Sequence, residues 1–155
     1  MVVIQTNDFS VAKEYQLLRD AAPGKTGAIC TFVGLVREFG DRPDIQGMFL
    51  EHYPGMTEKS LNKLILEAKN TWDIHSAKVI HRVGSLKVDE QIVFVGISSS
   101  HRADAFAACE FIMDYLKTDA PFWKKELSQE GDIWVEAKDS DQRRKQKWAG
   151  MHKDD

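Results

Sequence analysis

The segment QIVFVGISSSHRADAFAACEFIMDYLKTDAPFWKKE, Gln91 to Glu126, changes character twice. Gln91 to Ser98 is rich in apolar and β-branched residues, the pattern of a strand. From about Ala103 to Leu116 the apolar positions Phe106, Cys109, Met113 and Leu116 return at helical spacing, which predicts a helix with those four on its core face. Ser99 or Ser100 is the expected cap of that helix, and Pro121 marks its end. Beyond the helix, Phe122 and Trp123 read as aromatic residues in a loop that carries Lys117, Lys124 and Lys125.

Working outward, Ser10 is a good N-cap for a helix reaching about Leu18, ended by Ala22-Pro23-Gly24. Gly27 to Val33 reads as a strand with Ala28, Cys30 and Phe32 on one face and Ile29, Thr31 and Val33 on the other. Glu38 to Ile45 is a loop, and Met48 to Tyr53 a second strand broken by Pro54-Gly55. Thr57 is the expected cap of a helix whose buried stripe is Leu61, Leu64, Ile65, Ala68 and Trp72. Strands are expected at Ala77 to Arg82 and at Gln91 to Ser98, joined through a turn at residues 87–90, with a last strand at Ile133 to Ala137. The tail from Lys138 is polar and expected to be frayed or helical. This irregular mixture points to an α+β fold rather than a doubly wound sheet. The chain divides into one domain over residues 1–148 and a flexible tail over 149–155.

Composition narrows the function. A net charge of −3 over 155 residues disfavours a general nucleic-acid binder, which carries a basic face. The start of the chain lacks the pattern of a secretory signal, and no stretch approaches the ~18 apolar residues a membrane span needs. A cytoplasmic protein without nucleic-acid or membrane partners is expected. Cys30 and Cys109 stand apart from any Cys-x-x-Cys pair, so no metal site is expected and two buried thiols are the default. Neither has a cationic or histidine neighbour in sequence that would activate it.

Four segments remain for chemistry. Ser98 to Arg102 stands at a strand-to-helix junction, where free N–H groups, an Arg fork and His101 suit a phosphate; an ordinary cap with a solvated Arg is the competing reading. A basic residue in the first helical turn opposes the helix dipole, a small cost that a bound anion would offset. Lys117 at the helix C-terminus compensates the dipole, which suffices structurally. Aromatic walls and neighbouring cations are, however, the surroundings in which a lysine becomes usable for proton transfer. Arg37 follows a strand end and reads as a surface residue or a ligand contact. Gln142 to Trp148 is the most basic run, by default a solvated face and otherwise a contact for an acidic partner.

These segments resemble the large, catalytic subunit of molybdopterin synthase over about Phe9 to Trp148. The resemblance rests on Phe32-Val33-Gly34 with Arg37, Glu51 through Lys59, Ile80 through Gly84, Ser100-His101-Arg102, and Met113 through Glu126 in one order and spacing. It implies an α/β-hammerhead type of α+β fold with mixed and antiparallel strands and about three main helices. It also implies a homodimer at the centre of a heterotetramer, with a small ubiquitin-like sulfur-carrier subunit on each outer end. The carrier's thiocarboxylated C-terminus would supply two sulfurs to cyclic pyranopterin monophosphate, with no cofactor. Carried over by resemblance, Lys117 and Lys124 are the catalytic groups. Arg37, His101 and Arg102 would hold the substrate and its phosphate, Phe32 and Met113 line the pocket, and Lys125 and Glu126 complete the segment. Leu35 stands where some relatives have Lys. A non-catalytic module for a phosphorylated metabolite or an acidic tail is the alternative reading.

The spacing adds one constraint. His101 and Lys117 are 16 positions apart (117 − 101), roughly 24 Å along a helix at ~1.5 Å per residue. One pterin cannot touch both ends, so the two clusters are expected to complete each other's sites across a two-fold dimer.

Overall fold

A computed structural model describes residues 1–38, 44–135 and 139–149. In chain order the elements are β1 (Val2–Gln5), α1 (Val11–Asp20), β2 (Ala28–Leu35), β3 (Ile45–His52), α2 (Met56–Thr71) and β4 (Ser76–Arg82). They are followed by β5 (Gly84–Lys87), β6 (Gln91–Ser99), α3 (Arg102–Leu116), β7 (Phe122–Ser128), β8 (Ile133–Val135) and α4 (Asp139–Gln146). The strands form two four-stranded sheets, ordered β1-β4-β6-β2 and β5-β3-β7-β8. β1 and β4 run parallel, and every other pairing among the described residues is antiparallel. The α+β class is as the sequence predicts.

The first sheet is covered on both faces, and strand alternation decides which residue goes where. Ala28 and Cys30 join the larger core with Leu61, Ile65, Phe111 and Ile112 from α2 and α3. Ile29 and Val33, one step out of phase, pack with Leu18 and Phe94 under α1. β6 is buried from Val93 to Ser99, which is why it reads as a continuous apolar run rather than an alternating one. A smaller core of Val36, Leu50 and Leu86 lies under the second sheet.

Several expectations need correction. β1 and β5 were not anticipated; each is four residues long, too short for a periodic signal. Phe122 to Ser128 is a strand, not a loop, held between β3 and β8. Phe106 is 64% exposed, so the core face of α3 runs instead through Ala105, Ala108, Cys109, Ile112 and Leu116. Thr57 is inside α2 and Gly55 is its N-cap, at φ 84°, a left-handed conformation that favours glycine. Buried Thr57 instead knots its helix to the chain, its hydroxyl 3.0 Å from the Tyr53 carbonyl and 3.4 Å from that of Pro121. Neither serine caps α3. His101 is the N-cap, and its N–H donates to Ser99 Oγ at 3.2 Å.

Part of the tail's basic run is paired with acids of α3 and the loop after it rather than left to solvent alone. Arg144 reaches Glu110 at 3.2 Å and Asp114 at 3.4 Å, Lys145 reaches Asp119 at 2.7 Å, and Lys147 also pairs with Glu110. Trp148 is buried, its indole N–H donating to Asp114 at 2.7 Å between Trp72 and Phe111. α4 is thereby strapped along α3. Most of the Glu38–Ile45 loop (39–43), residues 136–138 and residues 150–155 of the expected flexible tail lie outside the described residues.

Candidate active site

α3 and β2 pack side by side, and an open pocket of about 590 Å³ lies along their seam. Phe32 from β2 and Met113 and Lys117 from α3 line it, as do Cys30, Cys109 and Arg144. Met113 and Lys117 meet there because a four-residue step returns a helix to the same face. Lys117 is the C-cap of α3, and its backbone N–H donates to Met113 O at 3.1 Å. Three of the residues carried over by resemblance are therefore brought together. The two cysteines, packed in the main core, also line this pocket, Cys109 buried and Cys30 half-buried. Sequence distance hid the cations, Lys117 and Arg144, that share their pocket.

β7 carries the second cluster. Lys124 lies opposite Leu50 and Val135, Lys125 between Phe49 and Trp134, and Glu126 between Met48 and Ile133. Phe122, Lys124 and Glu126 share one face by strand alternation, and Lys125 points the other way. The Lys125 ammonium sits 5.4 Å from the Phe49 ring and 5.3 Å from that of Trp134, a cation–π placement on the far face. Glu126 is buried at the middle of the strand. Arg37 stands exposed just past β2.

The residue that sequence reasoning missed is His81. Its ring stacks on Phe122, with centroids 3.9 Å apart, so β4 of one sheet is clamped to the start of β7 in the other. Its Nδ1 lies 2.8 Å from the Arg82 carbonyl, which can only accept, so the proton is on Nδ1. Burial lowers its pKa to about 4; the Arg82 carbonyl opposes that shift, and the charges of Lys117 and His52 add to it. His81 is thus a neutral imidazole between Lys117 and the strand bearing Lys124. Its neighbour Arg82 is structural, with hydrogen bonds from its guanidinium to the carbonyls of Thr6 and Gln91.

His101 and Arg102 stand exposed at the opposite end of α3, and neither lines the pocket. The negative charge that the helix N-terminus seemed to need is partly internal. Asp104 accepts from the Asp73 N–H at 3.1 Å, and Asp73 is held below the usual carboxylate range, first by the Ser100 hydroxyl and also by His75 and His101. Gly27 makes this junction possible: a Cβ there would lie 2.2 Å from the Ser100 carbonyl oxygen, so β2 can start against the α3 cap only without a side chain. Among the described residues no group of three or more His, Cys, Asp or Glu is placed to hold a metal ion.

Comparison with known proteins matches this arrangement. The family model described as MoaE protein matches residues 4–119. The molybdopterin synthase catalytic subunit of Vibrio cholerae serotype O1 is 52% identical over 147 residues, covering 95% of this chain and 97% of that one. The solved molybdopterin biosynthesis MoaE protein from Burkholderia ambifaria MC40-6 superposes with a TM-score of 0.80 at 48% identity, covering 96% of this chain and 97% of the other. A complex of subunits 1 and 2 of the molybdopterin-converting factor from Helicobacter pylori includes a chain with the same fold. That chain is 24% identical, has a TM-score of 0.73, and the match covers 86% of this chain and 89% of the other. With three quarters of its length matched by the family model, and near-full-length relatives at about half identity, the chain belongs to the MoaE family, the catalytic subunits of molybdopterin synthase.

Proposed function

We propose that this chain transfers two sulfurs from the thiocarboxylated C-terminus of a small ubiquitin-like carrier subunit to cyclic pyranopterin monophosphate, forming the dithiolene of molybdopterin. The observation that carries the reading is the pocket along α3 and β2, in which Lys117 stands beside the apolar Phe32 and Met113. An extended peptide tail needs such a seam, and its anionic terminus needs a cation at the end of it. Lys117 and Lys124 are the catalytic groups, orienting the thiocarboxylate and handling protons as each carboxylate is released. Arg37, His101 and Arg102 hold the substrate and its phosphate, with Lys125 and Glu126 completing the segment around Lys124. Lys125 faces away from Lys124, so its part is on the outer face of β7.

Because His101 and Arg102 lie at the far end of α3, each site takes them from the second copy of a homodimer, which forms the centre of a heterotetramer with two carriers. The same proposal treats residues 1–148 as one domain and places the protein in the cytoplasm, in keeping with its bacterial relatives. Among the described residues no helix is long and apolar enough to cross a membrane. A non-catalytic binding module is not favoured, since the relatives bear the name of a catalytic subunit.

The test is reconstitution. Purified chain, a thiocarboxylated carrier and cyclic pyranopterin monophosphate together should yield molybdopterin, and omission of any one should abolish it. No product from the complete mixture, with the carrier bound, would overturn the reading.

A further inference from the structure

Sulfur transfer from a carrier leaves two nucleophilic side chains in the pocket unused. Cys30 projects from β2 toward the helices, and Cys109 projects from α3 to meet it. The two side chains line the same pocket and pack in the same cluster, close enough for each thiol to influence the other. Their surroundings differ in a way that separates their roles. Both are on the pocket wall, but Cys30 is half-buried while Cys109 is buried. The neighbouring Cys109 thiol lowers the Cys30 pKa to about 7 against the opposing effect of burial. The neighbouring Cys30, together with burial and the nearby Glu110, pushes the Cys109 thiol up. Cys30 is therefore the thiol that ionises and Cys109 the one that keeps its proton. This is the division between an attacking and a resolving cysteine.

We propose that Cys30 and Cys109 form a thiol–disulfide exchange site, at which a low-molecular-weight disulfide entering the pocket modifies Cys30 and Cys109 then closes an intramolecular disulfide. In the first step the Cys30 thiolate attacks one sulfur of the small disulfide. A mixed disulfide forms, the small S–S bond breaks, and one small thiolate leaves with the proton Cys30 gave up. In the second step Cys109 loses its proton to solvent and attacks the Cys30 sulfur. The Cys30–Cys109 bond forms, the mixed bond breaks, and the second small thiolate leaves and is protonated. Two protein thiols are oxidised and one small disulfide is reduced to two thiols.

The closed bond ties β2 to α3 two positions from Phe32, on the same strand face, and one helical turn from Met113. Oxidation consequently reshapes the wall of the pocket that receives the carrier tail, a consequence that rests on the proposed sulfur transfer. Reduction by an excess of small thiol restores it.

The experiment incubates the full chain, natively folded, with oxidised glutathione near neutral pH and maps the thiols by peptide mass spectrometry. The wild type is expected to lose two hydrogens and give a cross-linked Cys30–Cys109 peptide pair. Cys109→Ala is expected to stop at one glutathione on Cys30, and Cys30→Ala to take up roughly tenfold less label at Cys109. Cys109→Ser and Cys30→Ser repeat the measurement should an alanine variant lose its circular dichroism. Wild type left with two free thiols, or with a stable glutathione adduct and no cross-link, would overturn the proposal. In the reconstituted synthase, cross-linked chain should turn over at least about tenfold more slowly and recover with dithiothreitol; unchanged turnover would overturn the effect on the pocket. An inactive reduced chain would count against sulfur transfer alone, since the mass measurement reads the thiols directly.

Discussion

The His81 ring stacks on Phe122 with centroids 3.9 Å apart and planes 22° apart, joining the sheet that carries the main core to the strand that carries Lys124. An imidazole in that position must stay neutral. Protonation would place a desolvated cation against Phe122 with Lys117 and His52 close by.

The pH dependence of stability follows from that burial. The folded pKa of His81 lies at about 4, below the ordinary 6.5. The unfolded chain therefore takes up the proton first as pH falls. The contribution of His81 is fully present above about pH 6.5 and is lost between there and about pH 4, amounting to on the order of 3 kcal/mol. Urea midpoints of the wild type should fall across this window, and those of His81→Leu should fall less. Equal slopes in the two proteins would refute the assignment.

Lys117→Ala should lower turnover by roughly 100- to 10,000-fold, the range for removal of a proton-handling group. The side chain is exposed, so the thermal midpoint should hardly move. Single-turnover product formation, paired with a melting curve, checks both halves. Near-normal turnover would remove Lys117 from its role.

The dimer arrangement predicts complementation between variants. His101→Ala and Lys117→Ala, each nearly inactive, should regain activity when unfolded together and refolded as a mixture. Random pairing leaves about a quarter of all sites with both residues intact, so about a quarter of wild-type turnover is expected. Failure to exceed the summed activities of the separate variants would show that each site is built from one chain.

The C-terminal strap should behave as part of the core. Trp148→Ala removes a buried indole and its hydrogen bond to Asp114, at a cost of about 3–5 kcal/mol. Trp148→Phe keeps most of the packing and should cost less. Amide exchange over 139–149 should accelerate in the alanine variant before the rest of α3 does; uniform acceleration would mean that the strap and α3 open together.

Part of this molecule is written locally. Ser10 caps α1 through the Lys13 N–H at 3.3 Å, and the stripe from Leu61 to Ala68 is buried as its spacing requires. The alternation of Ala28, Cys30, Ile29 and Val33 between two cores also follows from the sequence. Helical caps and side-chain periods are short-range properties, so the residues themselves carry them. The motifs around Arg37, Ser100 to Arg102 and Met113 to Glu126 likewise identified the family before any fold was in view.

What only the tertiary structure decided is who meets whom. β7 was legible as lysines and aromatics but not as a strand, because its partners on β3 lie seventy or more residues earlier. Cys30 and Cys109 looked like separate core thiols, being 79 positions apart (109 − 30). His81 read as an ordinary strand residue until Phe122 was placed against it. The basic tail looked solvated until the acidic side of α3 was set beneath it. Sequence periodicity reports which face of an element is apolar, but the pairing of distant faces depends on the packing of the whole chain. The helix at the centre shows both: its length could be counted in the sequence, whereas the pocket at its Lys117 end exists only because β2 and α4 pack beside it.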